Sequence, residues 1–572
     1  MPAAVVLAVA IAALALAYRY YSAYLAKRVY ALDPDFVTPA HTYNDGVDYV
    51  PTNKHIVFSH HFISVAGAAP IVGPATAVFW GWGPALLWVV LGTIFAAGVH
   101  DFGSLAISVR HKARSIGTLT SDIITTRART LFLLIIFFLL TMVNAVFAVV
   151  IAQLFTENPE AVLPVLLTIP FAIGLGQYVY RKRTTALVPA MVAMALVYVS
   201  IPVGQAWPIT VDPVANAIGL DAETLWILLI FVYTFFTSRL PVWMLLQPRD
   251  YINQMQMVVA LAVIILGIVI GWNTIVAPAV NDVPPDSPPW FPLLFVTIAC
   301  GAVSGFHSLV GSGTTAKQLD KETDARYVGY LASSGEGLLA LCAILACTAG
   351  VAATTADWNS LYSDFDMASD SATGYFVDGV AQFAGNLGVP AGIGTIFASL
   401  VVISFAATSL DTAVRLQRYI VQDIAELVRF KPLARNLTAA TVVAILIPLS
   451  IALLPGDFAF GTLWQLFGTT NQLTAGLALA VIAVWVTKSN RNPIAVLVPW
   501  AFLVVMTSWA LIVQFGEFVA SNDPMQMFFL APLDMVIFVL ALWMVVEAAI
   551  AFRRAWRERS RDESVVSPTE QS

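Results

Sequence analysis

Apolar runs of about 20 residues, the length a helix needs to cross a bilayer, recur from one end of the chain to the other, separated by short polar connectors. They predict spanning helices at 3–24, 61–80, 85–109, 130–155, 162–180, 185–204, 223–245, 256–278, 291–312, 328–350, 389–412, 437–455, 460–486, 494–515 and 526–552. These continuous runs differ from the alternating dyad pattern of an outer-membrane barrel. The expected fold class is an all-α polytopic membrane protein with about fifteen transmembrane helices. One stretch, 44–80, breaks the pattern. A polar, Asp-rich connector runs through His60 and His61 into an apolar segment interrupted by Gly67, Pro70, Gly73 and Pro74. Irregular backbone at membrane depth is tolerated only where protein covers it or it lines a cavity. The stretch is therefore expected to form the first half of a transport site.

Composition removes the alternative of several soluble domains. Apolar residues make up 59% of the 572 and charged ones 11%, with mean hydropathy +0.80. So few charges cannot clothe a water-soluble surface. The net charge of −6 matters less than where the charges sit. Fixing Arg553, Arg554, Arg557, Arg559 and Arg561 as cytoplasmic and alternating backwards puts all 29 Lys and Arg on, or just inside, one face. Lys54, Arg110, Arg181–Arg183, Arg249, Lys317, Arg415, Arg418 and Lys488 all fall on that side. The opposite connectors carry Glu157, Glu160, Asp212, Asp282, Asp286, Asp357, Asp364, Asp366 and Asp370. The expected topology is N-out, C-in, with the N-terminal run a signal anchor. The long outer connector 351–388 is expected to fold over the outer face as a lid or re-entrant piece, and the tail after Arg561 to be disordered. Cys300, Cys342 and Cys347 lie in apolar runs without metal-ligand spacing and read as small hydrophobes.

Ionisable groups inside spans cost several kcal/mol unless paired, so each is a functional candidate. His60 and His61 are either an interfacial pair satisfied by the preceding connector or contacts for a proton or anion. Asp101, in GVHDF, is either paired with His100 or a cytoplasmic Arg, or it couples protons. Arg239, beside Pro241, is either a snorkelling charge or a carboxylate contact. The segment CGAVSGFHSLVGSGTTAKQ sets Ser304, His307, Ser308, Ser312, Thr314 and Thr315 among glycines. Helix packing explains the glycines but not the hydroxyls. Those oxygens suit a sodium ion or a carboxylate substrate. Glu336 sits within an apolar span, and Asp411 lies four residues before Arg415, which points to an ordinary ion pair. Asn471 and Gln472 read as buried amide glue between helices. No metalloprotease, phosphate-loop, hydrolase or redox motif occurs, and no basic-aromatic face suggests nucleic acid.

At these residues the chain resembles the carbon starvation protein A family of bacterial inner-membrane transporters. The matching segments are DGVDYVPTNKHIVFSHHF, AGAAPIVGPATAVFWG, GVHDFGSLAISVR, CGAVSGFHSLVGSGTTAKQ, SFAATSLDTAVRLQRYIVQ and TLWQLFGTTNQL, spread over residues 44–475. The resemblance implies uptake of small carbon sources, with peptides and pyruvate the associated substrates. It also implies ion-coupled symport and a core of five-plus-five inverted repeats. If the core is spans two to eleven, its first and sixth helices, 61–80 and 223–245, run in opposite directions and are both interrupted by Gly or Pro. In folds of the leucine-transporter type the first and eighth helices share a coupling ion, so 66–70 is expected to meet 308–315.

Together these observations point to a cation-coupled symporter, the cation a proton, that imports small carboxylates or peptides under carbon limitation by alternating access. The alternative is a membrane metabolite sensor without transport activity. Substrate contacts are expected from His60, His61, Gly67, Ala69, Pro70, Arg239, Ser304, His307 and Ser308. Ion coupling is expected from Asp101, Glu336, Ser312, Thr314, Thr315 and Asp411. Residues 1–60 form an N-terminal helix and connector, 61–412 the repeat core, 413–552 accessory helices and 553–572 a basic tail. No cofactor, metal or nucleic acid is expected, only a small-molecule substrate, a transported proton or sodium ion and the lipid of a bacterial inner membrane.

Overall fold

In hydrocarbon a chain must satisfy its own backbone hydrogen bonds, and a helix does so within one segment. The computed structural model is accordingly helical, with three isolated bridge pairings and no strand among the described residues. It describes residues 1–46, 48–182, 185–241, 243–285, 287–454 and 463–566. Arg183 and Asp286 of the charge pattern, the first three residues of the predicted 460–486 span and residues 567–572 lie outside these.

The helices that frame the interior are α1 (Lys54–Val65) and α2 (Ala69–Trp80), bent by 46° across 66–68, then α3 (Trp82–Arg110), α4 (Thr126–Glu157) and α5 (Pro159–Lys182). They continue with α6 (Ala222–Thr237), α7 (Leu246–Gly271), α8 (Gly305–Gly313), α9 (Arg326–Ala349), α10 (Ala391–Leu427) and α11 (Leu463–Lys488). Among the described residues, eleven helices are long and apolar enough to span, or thirteen counting two bent pairs. Of the fifteen predicted segments, 437–455 becomes the short helix Leu437–Ala452. The 291–312 segment is split into Trp290–Thr297, Ala299–Ala302 and α8.

The boundaries differ where polar residues are buried. The 223–245 span stops at Thr237, and α7 starts ten residues before the predicted 256, with Arg249 and Asp250 its fourth and fifth residues, both buried. α10 runs on past 412 to Leu427 and takes Arg415 and Arg418 into the protein. Arg249, Arg415 and Arg418 are thus helix residues packed inside, where the sequence put them in cytoplasmic connectors. The last helix continues to Val566, past Arg561, after which the sequence predicts disorder.

Burial separates interior helices from lipid-facing ones. The apolar window of α11 is wholly buried, whereas that of the last helix, Gln526–Arg559, is 28% buried. α11, which follows the predicted core in sequence, packs against α3, α4 and α8. The connector before α1 is tied down by the 317–325 loop. Thr38 Oγ1 donates to Leu319 O at 2.6 Å, His41 meets Asp320 at 2.9 Å, and the buried Glu322 holds Arg110 and the backbone N–H of Asp33. The 351–388 segment folds into three helices, Thr355–Leu361, Phe365–Asp370 and Ala372–Gly385, the last two packed against α2.

Candidate functional site

Two breaks in the helical ladder position the site. In the first, Ala66 ends α1 with φ −81° and ψ 62°, and α2 restarts at Ala69 with Pro70 in its first turn, where proline's missing N–H costs nothing. In the second, Val303 and Ser304 are extended, with φ −166° and −124°, between Ala302 and α8. The loose backbone there is satisfied by Asn471 of α11. Its Oδ1 accepts from Phe306 N at 3.0 Å, and its Nδ2 donates to Ser304 Oγ at 3.0 Å. Gln472 donates to Phe295 O at 3.2 Å. Both amides bridge helices, as their sequence setting suggested.

His307, two residues into α8, is the centre of the first polar cluster. Its Nδ1 lies 2.8 Å from Asp101 Oδ2 on α3, and its Nε2 is 3.1 Å from Glu336 Oε2 on α9. The second is an ion-pair contact whose angle falls short of an aligned hydrogen bond. Asp101 also meets His100 Nδ1 at 2.7 Å and accepts from Ser333 Oγ at 2.8 Å. All five side chains are buried. A neutral imidazole carries one N–H, already directed at Asp101, so an ion pair that also includes Glu336 requires the imidazolium. Three helices far apart in sequence therefore share one proton-bearing group. Ser333 has no role in the sequence reading, although it stands three residues before Glu336, the i,i+3 spacing that places both on one helix face.

The second cluster lies across α1. Asp411 does not pair with Arg415. It meets Arg249 of α7 at 2.5 Å and accepts from Thr237 Oγ1 at 2.8 Å and Tyr233 Oη at 3.0 Å. Arg415 donates instead to the carbonyls of Leu240 at 2.7 Å and Thr237 at 3.3 Å, at the unravelled end of α6. The i,i+4 rule supposes a surface helix; a buried carboxylate takes its partner from whichever helix packs against it. His60 Nδ1 is 2.7 Å from the buried Asp250 Oδ2, beside Arg249. His61, the next residue, faces the other way. Its Nδ1 is 3.0 Å from Thr315 Oγ1, and it stands close enough to Asp101 and His307 to feel their charge. α1 thus has one histidine on each cluster. Asp250 and the buried role of Arg249 escaped the sequence reading because the hydropathy dip at QPRDY reads as a loop, and Tyr233, inside an apolar run, carries no charge to flag it.

The remaining candidates are less central. Gly67 lies against Ser409 of α10 and the Phe147 ring, so the 66–68 break meets α10, and the contact with the 308–315 stretch runs through His61. Ser308, Ser312 and Thr314 return their hydroxyls to Gly305, Ser308 and Val310 carbonyls of their own turn. Ser312 Oγ also caps the neighbouring Ile116–Ile123 helix, accepting from Ile116 N at 2.9 Å. Arg239 is exposed, its guanidinium 5.2 Å above the Phe235 ring, away from both clusters.

Comparison with known proteins adds the following. The family model "Carbon starvation protein CstA" matches residues 2–374 and 349–510. The peptide transporter CstA of Escherichia coli K12 is 33% identical over 552 residues, an alignment covering 86% of this chain and 78% of that protein. The pyruvate/proton symporter BtsT of the same organism is 31% identical over 571 residues, covering 86% and 79%. Among solved structures, a manganese transporter from Eremococcus coleocola aligns over 89% of this chain and 99% of its own, with TM-score 0.46 and 12% identity.

Proposed function

The chain belongs to the carbon starvation protein CstA family, and from that premise we propose that it is a proton-coupled symporter importing peptides or pyruvate across a bacterial inner membrane by alternating access. It is a multi-pass membrane protein, not an enzyme, and the named activities of its relatives, peptide transport and pyruvate/proton symport, supply the substrate classes.

The observation that carries the coupling is His307 held between Asp101 and Glu336. Two ionised carboxylates against one imidazolium leave a unit of negative charge uncompensated, and burying it costs several kcal/mol. One further proton removes that cost. The imidazolium proton of His307 is held while α3, α8 and α9 stay together. It becomes easier to lose when α8 moves away, because His307 then leaves its carboxylates, which in turn keep the further proton. Asp101, His307 and Glu336 are the proton-holding groups in this reading, and Ser333 positions Asp101. The breaks at 66–68 and 303–304 are where the half-helices tilt. His60 and His61 connect the proton cluster to the Arg249–Asp411 cluster through α1.

The test is uptake of labelled dialanine and labelled pyruvate into proteoliposomes under imposed gradients. An inward proton gradient should drive accumulation of at least one of them, and a sodium gradient at equal pH should not. Asp101→Asn should abolish accumulation while the protein still inserts and elutes as a single species. Full gradient-driven accumulation by that variant would overturn the assignment.

A further inference from the structure

On the basic face of the bundle, cytoplasmic by the positive-inside rule, a vestibule of about 280 Å³ opens between α4, α8, α10 and the Ile116–Ile123 helix. That volume is near the lower end of small-molecule sites. Arg114, Thr118, Lys317 and Asp423 are among its polar lining. Leu140 of α4, Leu309 of α8 and Leu416 of α10 are the lining residues set deepest on their helices, and all three are buried. The helices close up there, since a Cβ added to Gly313 of α8 would lie 3.0 Å from Leu416 Cδ2. The vestibule therefore ends on a plug of three leucines.

Asn144 lies one turn deeper than Leu140 on the same face of α4, about 6 Å further along the helix. It is fully buried, and among the described residues neither its Oδ1 nor its Nδ2 has a hydrogen-bond partner. Three residues further on, the ring of Phe147 lies against Gly67 at the 66–68 break. One turn deeper than Leu416, Thr412 Oγ1 meets Ser64 Oγ of α1 at 3.5 Å. Asn144 thus stands between the leucine plug and the break. Buried amides that hold helices together are bonded, as Asn471 is through both its polar atoms. Asn144 bonds to no neighbouring helix, so that role does not explain it. Its amide can donate to a carboxylate or carbonyl oxygen, groups that peptides and keto acids share.

We propose that Asn144 is a substrate contact at the inner end of the transport path, and that Leu140, Leu309 and Leu416 are the gate between it and the cytoplasmic vestibule. The proposal rests on the symport reading and adds to it a contact residue and an exit route. Leu309 is two residues from His307 on α8. The movement of α8 that takes His307 from its carboxylates therefore also withdraws Leu309 from the plug. Release of the imidazolium proton and opening toward the cytoplasm are then one motion.

The experiment reacts introduced cysteines in the full chain, in inside-out membrane vesicles, with the membrane-impermeant thiol reagent MTSES, read by mass spectrometry. The native cysteines are buried and set the background. Thr118→Cys, in the vestibule, should react at least tenfold faster than Asn144→Cys. Adding Leu309→Ala and Leu416→Ala should speed Asn144→Cys at least tenfold and leave Thr118→Cys unchanged. Leu416→Ala alone serves where the double change prevents elution as a single species. The contact is read by counterflow of labelled pyruvate and labelled dialanine in proteoliposomes at one pH. Asn144→Ala should slow exchange at least tenfold, and Asn144→Gln, which keeps the amide, should recover part of it. Asn144→Cys reacting as fast as Thr118→Cys behind an intact plug, or no faster once the plug is cut, would overturn the gate. Wild-type counterflow in Asn144→Ala would overturn the contact. Wild-type counterflow without gradient-driven accumulation would defeat the symport reading and leave gate and contact standing.

Discussion

At the scale of single residues, Asp101, His307 and Glu336 are conspicuous in the sequence because each is expensive in lipid. That expense is a property of one residue and can be read from one position. Partnership is not, and Asp411 shows it. The local rule points to Arg415, but the partner is Arg249, 162 positions away in the chain and in contact only after α7 and α10 pack. Removing one member of a buried pair leaves an uncompensated charge and costs about 3–5 kcal/mol, whereas replacing both with apolar groups is near neutral. Asp411→Asn should therefore lower the temperature at which the detergent-solubilised protein aggregates. The Arg249→Met, Asp411→Leu double variant should recover most of the loss. A double-mutant cycle should give strong coupling between 249 and 411 and little between 411 and 415. The reverse pattern would restore the local pair.

At the scale of elements, lipid makes spans legible, since an apolar run of bilayer length has few alternatives. It makes their ends hard to read wherever polar residues continue into the protein interior, as at Leu246 and beyond Thr412. Breaks are visible as Gly and Pro, but what they lean on is not. At Gly67 an added Cβ would lie 2.6 Å from Ser409 Oγ and 3.0 Å from the Phe147 ring. The glycine is needed for close approach of the break to α10. Gly67→Ala should cut uptake at least tenfold with normal expression, because the break must shift. Adding Ser409→Gly removes both close atoms of that residue and should restore part of the activity. Gly174→Ala, with nothing within 4 Å of the new methyl, should have no effect. Equal uptake by the Gly67 and Gly174 variants would show that the packing at the break is immaterial.

At the scale of the whole molecule, the 351–388 segment packs against α2 and hydrogen-bonds to α9. The sequence showed it to be long and acidic, enough to suggest a lid; its buried aromatics become meaningful only with α2 in place. Tyr362 Oη donates to Ala75 O at 3.0 Å, and Trp358 Nε1 donates to Cys347 O at 3.0 Å. The two rings stack at 4.6 Å, and Phe365 packs on Phe79 and Trp80 at the end of α2. In the proposed alternating-access cycle, a tilt of α2 would break the contacts to Ala75, Phe79 and Trp80, so the 351–388 segment would set part of the cost of opening. Tyr362→Phe keeps the stack and deletes one hydrogen bond worth about 1 kcal/mol. A change of that size is about a fivefold shift in a two-state equilibrium. Amide exchange in Thr355–Leu361 and Phe365–Asp370 should accelerate by about that factor, read by mass spectrometry, while exchange in α11 stays as in wild type. Unchanged exchange in both short helices would mean that the lid is held by its aromatic packing alone, and that the tether to Ala75 takes no part in closing the site.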